Sequence, residues 1–161
     1  MIGGKPSEHS CSTAGASHPL RNQILGSTES TDMIRLAFAE THLPSGDIVF
    51  LTTFKMALHR AGAEVLQLDP RELGTELIAS QPGDWDIVVY DNVPGGAGHA
   101  RELIADGTAW FEEAKRLLRG TAEHEARCEL ACLDCILGFE SQSAMEAGQV
   151  NRKLVLQHLN S

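Results

Sequence analysis

Residues 85–103, WDIVVYDNVPGGAGHAREL, constrain the fold more than any other stretch of the chain. Ile87-Val88-Val89-Tyr90 is a short apolar run rich in β-branched side chains, the composition of a buried strand. Asp91 and Asn92 end it, Pro94-Gly95-Gly96-Ala97-Gly98 follows, and a helical pattern begins at His99. The clustered glycines allow positive φ and a close backbone approach. The segment therefore predicts a strand, a sharp corner and a helix packed back on that strand. Two roles for the corner are open. It cradles a phosphate or another anion on the free N–H groups of the helix start, or it is only a tight structural turn. His99-Ala100 stands where a phosphate-binding loop needs Lys-Ser/Thr, and the GxGxxG order is absent, which favours the turn.

A chain of 161 residues implies one domain, and 42% hydrophobic residues are enough for a core. The formal net charge of −9 argues against a chain that grips nucleic acid as a whole, although a local basic face stays open. No apolar run approaches the ~20 residues of a membrane span. The first twenty residues have no apolar signal region. A cytoplasmic location without membrane association is the expectation. In that compartment four cysteines point to metal ligands or free thiols before disulfides.

Residues 1–28 are rich in Ser, Gly and His without apolar periodicity, and predict a flexible arm that carries Cys11 as an exposed thiol. Residues 29–161 form the predicted domain. Thr31 to Phe38 alternates as a strand, with Ile34, Leu36 and Phe38 on one face. Asp47 is placed to cap a helix from Ile48 to about Leu66, whose apolar positions recur every three or four residues. Its β-rich start leaves a strand–helix mixture as the alternative, and His59 reads as a surface or half-buried side chain. Leu66-Gln67-Leu68 predicts a short strand, Arg71 to Ile78 a short amphipathic piece, and Gln81 to Asp84 a loop. Ala100 to Arg119 predicts helix, broken and recapped at Asp106-Gly107-Thr108 and closed by Gly120. Glu140 to Gln149 reads as a polar loop and Val150 to Leu159 as a last helix.

Between these lies His124-Glu-Ala-Arg-Cys128-Glu-Leu-Ala-Cys132-Leu-Asp-Cys135. Cys132 and Cys135 form a CxxC pair, a spacing that offers two thiolates to one metal. On an unbroken helix the four residues would form one stripe, with Cys128 and Cys135 about 10 Å apart. Thiolates that share a zinc must lie within roughly 4 Å of each other. Either the chain bends between Leu130 and Asp134 to make a metal knuckle, or the cysteines are core residues. A catalytic thiol is disfavoured, because Glu125, Glu129 and Asp134 would raise a thiol pKa.

The pieces together resemble a known set in a known order. Ser30-Thr31-Asp32-Met33-Ile34-Arg35-Leu36 is similar to the opening strand of the MrfA-like zinc-binding (MZB) domain family. Tyr90-Asp91-Asn92-Val93-Pro94-Gly95-Gly96-Ala97-Gly98-His99 resembles its most specific motif. Cys128 and Cys132-Leu133-Asp134-Cys135-Ile136-Leu137 resemble its cysteine cluster, and Asn151-Arg152 falls where the family often has Asp-Arg. The resemblance implies an α/β (α+β) fold, with a small central sheet packed by helices and a cysteine-rich zinc knuckle. It also implies a non-catalytic accessory domain or subunit of a superfamily 2 DNA helicase, in DNA repair or in antiviral defence of the DISARM type, where the protein DrmB carries such a domain. DNA would be met indirectly, through the helicase partner.

The family uses four cysteines, whereas Ala126 stands two residues before Cys128. The fourth ligand then falls to His124, Cys11 or His99, with His124 first because it is nearest and imidazole suits zinc. The expected metal set is Cys128, Cys132, Cys135 and His124, with Zn2+ as cofactor. Arg152 is held open as a contact to a partner or a nucleic-acid backbone. Two rival readings remain. One is a phosphodiesterase-type hydrolase that uses Asp91, His99 and His124; the other is a metal-free protein-interaction domain with core cysteines.

Overall fold

The computed structural model describes residues 28–38 and 42–160. The predicted arm, with Cys11, therefore lies outside the described residues, apart from Thr28. Three strands form one antiparallel sheet in the order β1-β3-β2: β1 is Met33–Leu36, β2 Leu73–Gln81 and β3 Asp84–Asp91. The motif strand is thus the central one, and it is longer than its apolar run. Pairing sets Ile34 opposite Val89 and Thr75 opposite Val89 from the other side, so these residues share the face turned to the helices.

Helix α1, Ile48–Leu66, is the hub. Asp47 Oδ1 accepts the Val49 and Phe50 N–H groups at 2.9 and 3.1 Å, so the expected cap is present. Ten residues from Phe50 to Ala63 are buried, because α1 lies against the sheet on one side and against the helices Gly107–Arg119 and Arg152–Leu159 on the other. The strand–helix alternative for its start does not hold. The helix ends at Gln67, in the left-handed region at φ 56, so the strand expected at 66–68 is a helix cap. The amphipathic piece expected at 71–78 is instead a 3-10 turn, Pro70–Glu72, followed by β2.

The helix after the glycine corner divides as expected into α2, His99–Ala105, and α3, Gly107–Arg119, with Asp106 capping the second. Trp110 of α3 is fully buried and its indole N–H donates to Leu58 O at 2.8 Å, which locks α3 onto α1. Ile104 of α2 is 65% exposed. Three short α-helices follow among the described residues: α4, Ala122–Arg127; α5, Gln142–Glu146, inside the expected polar loop; and α6, Arg152–Leu159, capped by Asn151. The architecture is α+β, a three-stranded sheet packed by helices.

Candidate metal centre and glycine corner

Asp91 ends β3 with its side chain turned under the glycine loop. Its Oδ2 accepts the N–H groups of Ala97, Gly98 and His99 at 2.7, 2.7 and 3.1 Å, and its Oδ1 accepts that of Ala100 at 2.8 Å. Gly95 donates to Ser30 O and Gly96 to Val93 O. Every N–H from Gly95 to Ala100 is therefore engaged within the protein. Positive φ at Gly95, Gly96 and Gly98 (87°, 77° and 88°) turns these groups inward. The corner is an anion cradle whose anion is its own aspartate. This corrects the alternative of an external phosphate: the donors it would need are taken. Burial acts to raise the Asp91 carboxyl, but the four backbone bonds outweigh burial and hold it below its ordinary value. Pro94 and Gly95 form the exposed tip of the loop. His99 keeps Nε2 buried without a hydrogen bond, 3.6 Å from Glu72 Oε2.

The cysteine segment does bend. Helix α4 starts at Thr121, whose hydroxyl caps His124 N–H, and stops at Cys128, in extended backbone at φ −120°. The chain then turns back through residues 130–135. Cys135 N–H and Leu137 N–H both donate to Cys132 O at 3.1 Å, and Cys132 N–H points at Cys135 Sγ at 3.1 Å. The uninterrupted stripe of core cysteines is thereby ruled out. His124 and Cys128 from α4 and its end now face Cys132 and Cys135 from the knuckle.

The four donor atoms lie within 4.8 Å of one another. Cys128 Sγ is 4.0 Å and Cys132 Sγ 3.9 Å from Cys135 Sγ, and His124 Nε2 is 3.2 Å from Cys132 Sγ. Sulfurs on a tetrahedral zinc at ~2.3 Å sit about 3.8 Å apart, so the spacing fits. His124, Cys128 and Cys135 are buried and Cys132 is half-buried. Burial pushes the Cys128 thiol up to about 12, with Cys132 and Cys135 adding to it. Burial also raises Cys132, but bonds from the Asp134 and Cys135 backbone and from the other two thiols outweigh it and move Cys132 down. Three ionised sulfurs this close need a cation between them. The donor chemistry and the spacing both fit zinc. When bound, the ion would keep the thiols deprotonated and cross-link α4 to the knuckle.

His99, the other described candidate for a fourth donor, is not part of this cluster, and Cys11 lies outside the described residues. Gly120, at φ 65°, covers the His124 ring so closely that a methyl group there would overlap it. Two arginines brace the backbone around the cluster. Arg60 of α1 donates to Leu133 O at 2.8 Å and Leu137 O at 3.3 Å. Arg152 is fully buried and donates to Cys128 O from Nε and Nη2 (3.1 and 2.6 Å), and to Leu118 O and Arg119 O from Nη1 (2.8 and 3.1 Å). The expectation that Arg152 meets a partner or a nucleic-acid backbone is therefore corrected. All of its reach is spent on carbonyls inside the protein.

The sequence model of the MZB family, described as the MrfA Zn-binding domain, matches residues 54–136, about half of the chain. The chain belongs to this family. The MZB match runs from the middle of α1 to Ile136 and takes in the glycine corner and the whole metal cluster. The crystal structure of the DUF1998 helicase MrfA bound to DNA superposes with a TM-score of 0.53 at 21% identity, covering 76% of this chain and 15% of that one. The crystal structure of the same helicase bound to DNA and AMPPNP gives 0.55 at 20% identity, covering 81% and 15%. The MZB fold is thus shared with a segment of that helicase, and this chain spans 15% of the length of each helicase chain. No curated protein matches the chain.

Proposed function

We propose that this chain is a non-catalytic, zinc-binding accessory domain of a superfamily 2 DNA helicase, or a subunit docked on one. His124, Cys128, Cys132 and Cys135 are its zinc ligands. The observation that carries the reading is the convergence of these four donor atoms within 4.8 Å, inside a fold shared with a solved helicase. DNA is reached through the motor and not through this acidic chain. The family resemblance supports a place in DNA repair or antiviral defence, and the sequence without a signal region or membrane span supports a cytoplasmic one; among the described residues no helix is long and apolar enough to cross a membrane. The hydrolase reading loses its carboxylate, because Asp91 already accepts four N–H bonds.

Elemental analysis of freshly purified protein tests the metal, with one zinc per chain expected and none in a His124→Ala, Cys135→Ser double variant. Strand unwinding by a superfamily 2 helicase of the same genome, measured with and without the chain, tests the accessory role. Metal-free native protein, or phosphodiester hydrolysis that disappears in His99→Ala, would reverse the conclusion.

A further inference from the structure

Arg152 is a full positive charge with no exposed surface. It makes four hydrogen bonds to three carbonyl oxygens, and among the described residues it forms no ion pair with a carboxylate. A buried cation without an opposite charge is costly, so the protein must offset it with something other than an acid. The last carbonyls of α3, at Leu118 and Arg119, supply part of that through the helix dipole. The remaining two bonds go to a carbonyl of Cys128, whose own sulfur belongs to the metal cluster.

That cluster has the complementary problem. Zinc with three thiolates and a neutral imidazole carries one net negative charge, and three of its four donor residues are buried. The nearby side chains make this worse: Glu125, Glu129 and Asp134 are acidic, and all three are exposed. Arg60 also touches the knuckle, but Glu64 already pairs with it and a third of its side chain is in solvent. Arg127, next to Cys128, is also cationic but lies in solvent, so Arg152 is the buried unpaired charge that bonds the backbone of a ligand residue.

We propose that Arg152 is the counter-charge of the zinc centre, a positioning residue that fixes the Cys128 backbone and neutralises the buried zinc–thiolate group. The inference rests on His124, Cys128, Cys132 and Cys135 being the ligands. It assigns Arg152 an electrostatic task beyond bracing α3 against α6. Zinc affinity should therefore depend on the product of the charge at 152 and the charge of the centre.

A double-mutant cycle measures that dependence. His124→Cys makes a four-cysteine site and adds one negative charge to the centre. Zinc affinity is read by chelator competition, and the ligand set by the thiolate charge-transfer absorption of the cobalt(II) form. Arg152→Met should weaken zinc binding by roughly tenfold or more in the native site, and by a clearly larger factor in the His124→Cys site. Arg152→Lys, which keeps the charge but loses the planar fork, should fall between native and Arg152→Met. If Arg152→Met fails to fold at saturating zinc, Arg152→Gln, which loses the charge but keeps N–H donors, takes its place in the cycle and should again cost more in the His124→Cys site. Equal losses in both sites, or equal losses for Met and Lys, would reduce Arg152 to a mechanical brace and overturn the proposal. A native chain that takes up no zinc would instead remove the ligand assignment on which the proposal stands.

Discussion

Asp91→Asn isolates the cradle beneath the glycine corner, because it keeps the shape of the side chain and removes its charge. The best placement of the new amide puts its oxygen where Oδ2 stands and retains the bonds to Ala97, Gly98 and His99. The amide nitrogen then faces the buried Ala100 N–H, donor against donor, where the carboxylate accepted at 2.8 Å. Two buried N–H groups lose their partners at about 1–3 kcal/mol each, and three bonds lose the strength an ionised acceptor gives. The expected cost is about 3–5 kcal/mol, a large share of the ~5–15 kcal/mol that holds a domain folded. Urea unfolding at neutral pH with zinc in excess reads it, since metal release is then suppressed. Arg101→Gln, which removes an exposed ion pair with Asp32, is the control and should cost no more than about 1 kcal/mol. The pH dependence has a defined sign. The Asp91 carboxyl is lowered in the folded state, so its contribution is complete above the unfolded value of about 3.9 and is lost as pH falls through the folded value. The gap between native and Asp91→Asn protein should therefore be constant from pH 7 to about 5 and close in stronger acid. A loss below about 1 kcal/mol at neutral pH, with an unchanged denaturant slope, would refute the cradle.

A strong chelator should release zinc, make Cys128, Cys132 and Cys135 reactive towards a thiol reagent without denaturant, and lower the melting temperature; thiols that stay silent until global unfolding would contradict this. Gly120→Ala must place a side chain at φ 65° and against the His124 ring, so stability should fall by about 2 kcal/mol or more, with zinc content falling alongside. Trp110→Phe removes the indole bond to Leu58 O and opens a gap between α3 and α1, for an expected loss of about 2–3 kcal/mol in urea unfolding.

The parts of the fold that were legible in the sequence are those whose causes are local. Asp47 announces α1, Asp106 splits α2 from α3, and the alternation around Ile34 marks β1. The CxxC spacing together with Cys128 narrowed the choice to a bend with a metal or a helix with core cysteines, because a straight helix holds the sulfurs too far apart to share an ion. Strand β2 was missed because LGTELIASQ carries apolar residues in both phases, Leu77 and Ile78 side by side, and Glu76 and Ala79 favour other structure. Pairing with β3 overrides that preference. Arg152 was misjudged because its partners, Leu118, Arg119 and Cys128, lie far back along the chain. A cation in the first turn of a short helix looks solvated until the fold brings three carbonyls to it. Asp91 was recognised as part of the motif, but its role depends on the direction in which four backbone N–H groups point, and composition alone does not show that.

The strand order β1-β3-β2 has a consequence for how the sheet assembles. Strands β2 and β3 are joined by the two-residue turn Pro82-Gly83, so their hairpin closes locally and early. β1 reaches its place beside β3 only by returning across the whole of α1 and β2, and it pays the loop-closure entropy of that span. Side-chain truncations in the hairpin should therefore slow refolding, whereas a truncation at Ile34 should mainly speed unfolding, which makes β1 the last strand to join and the first to leave.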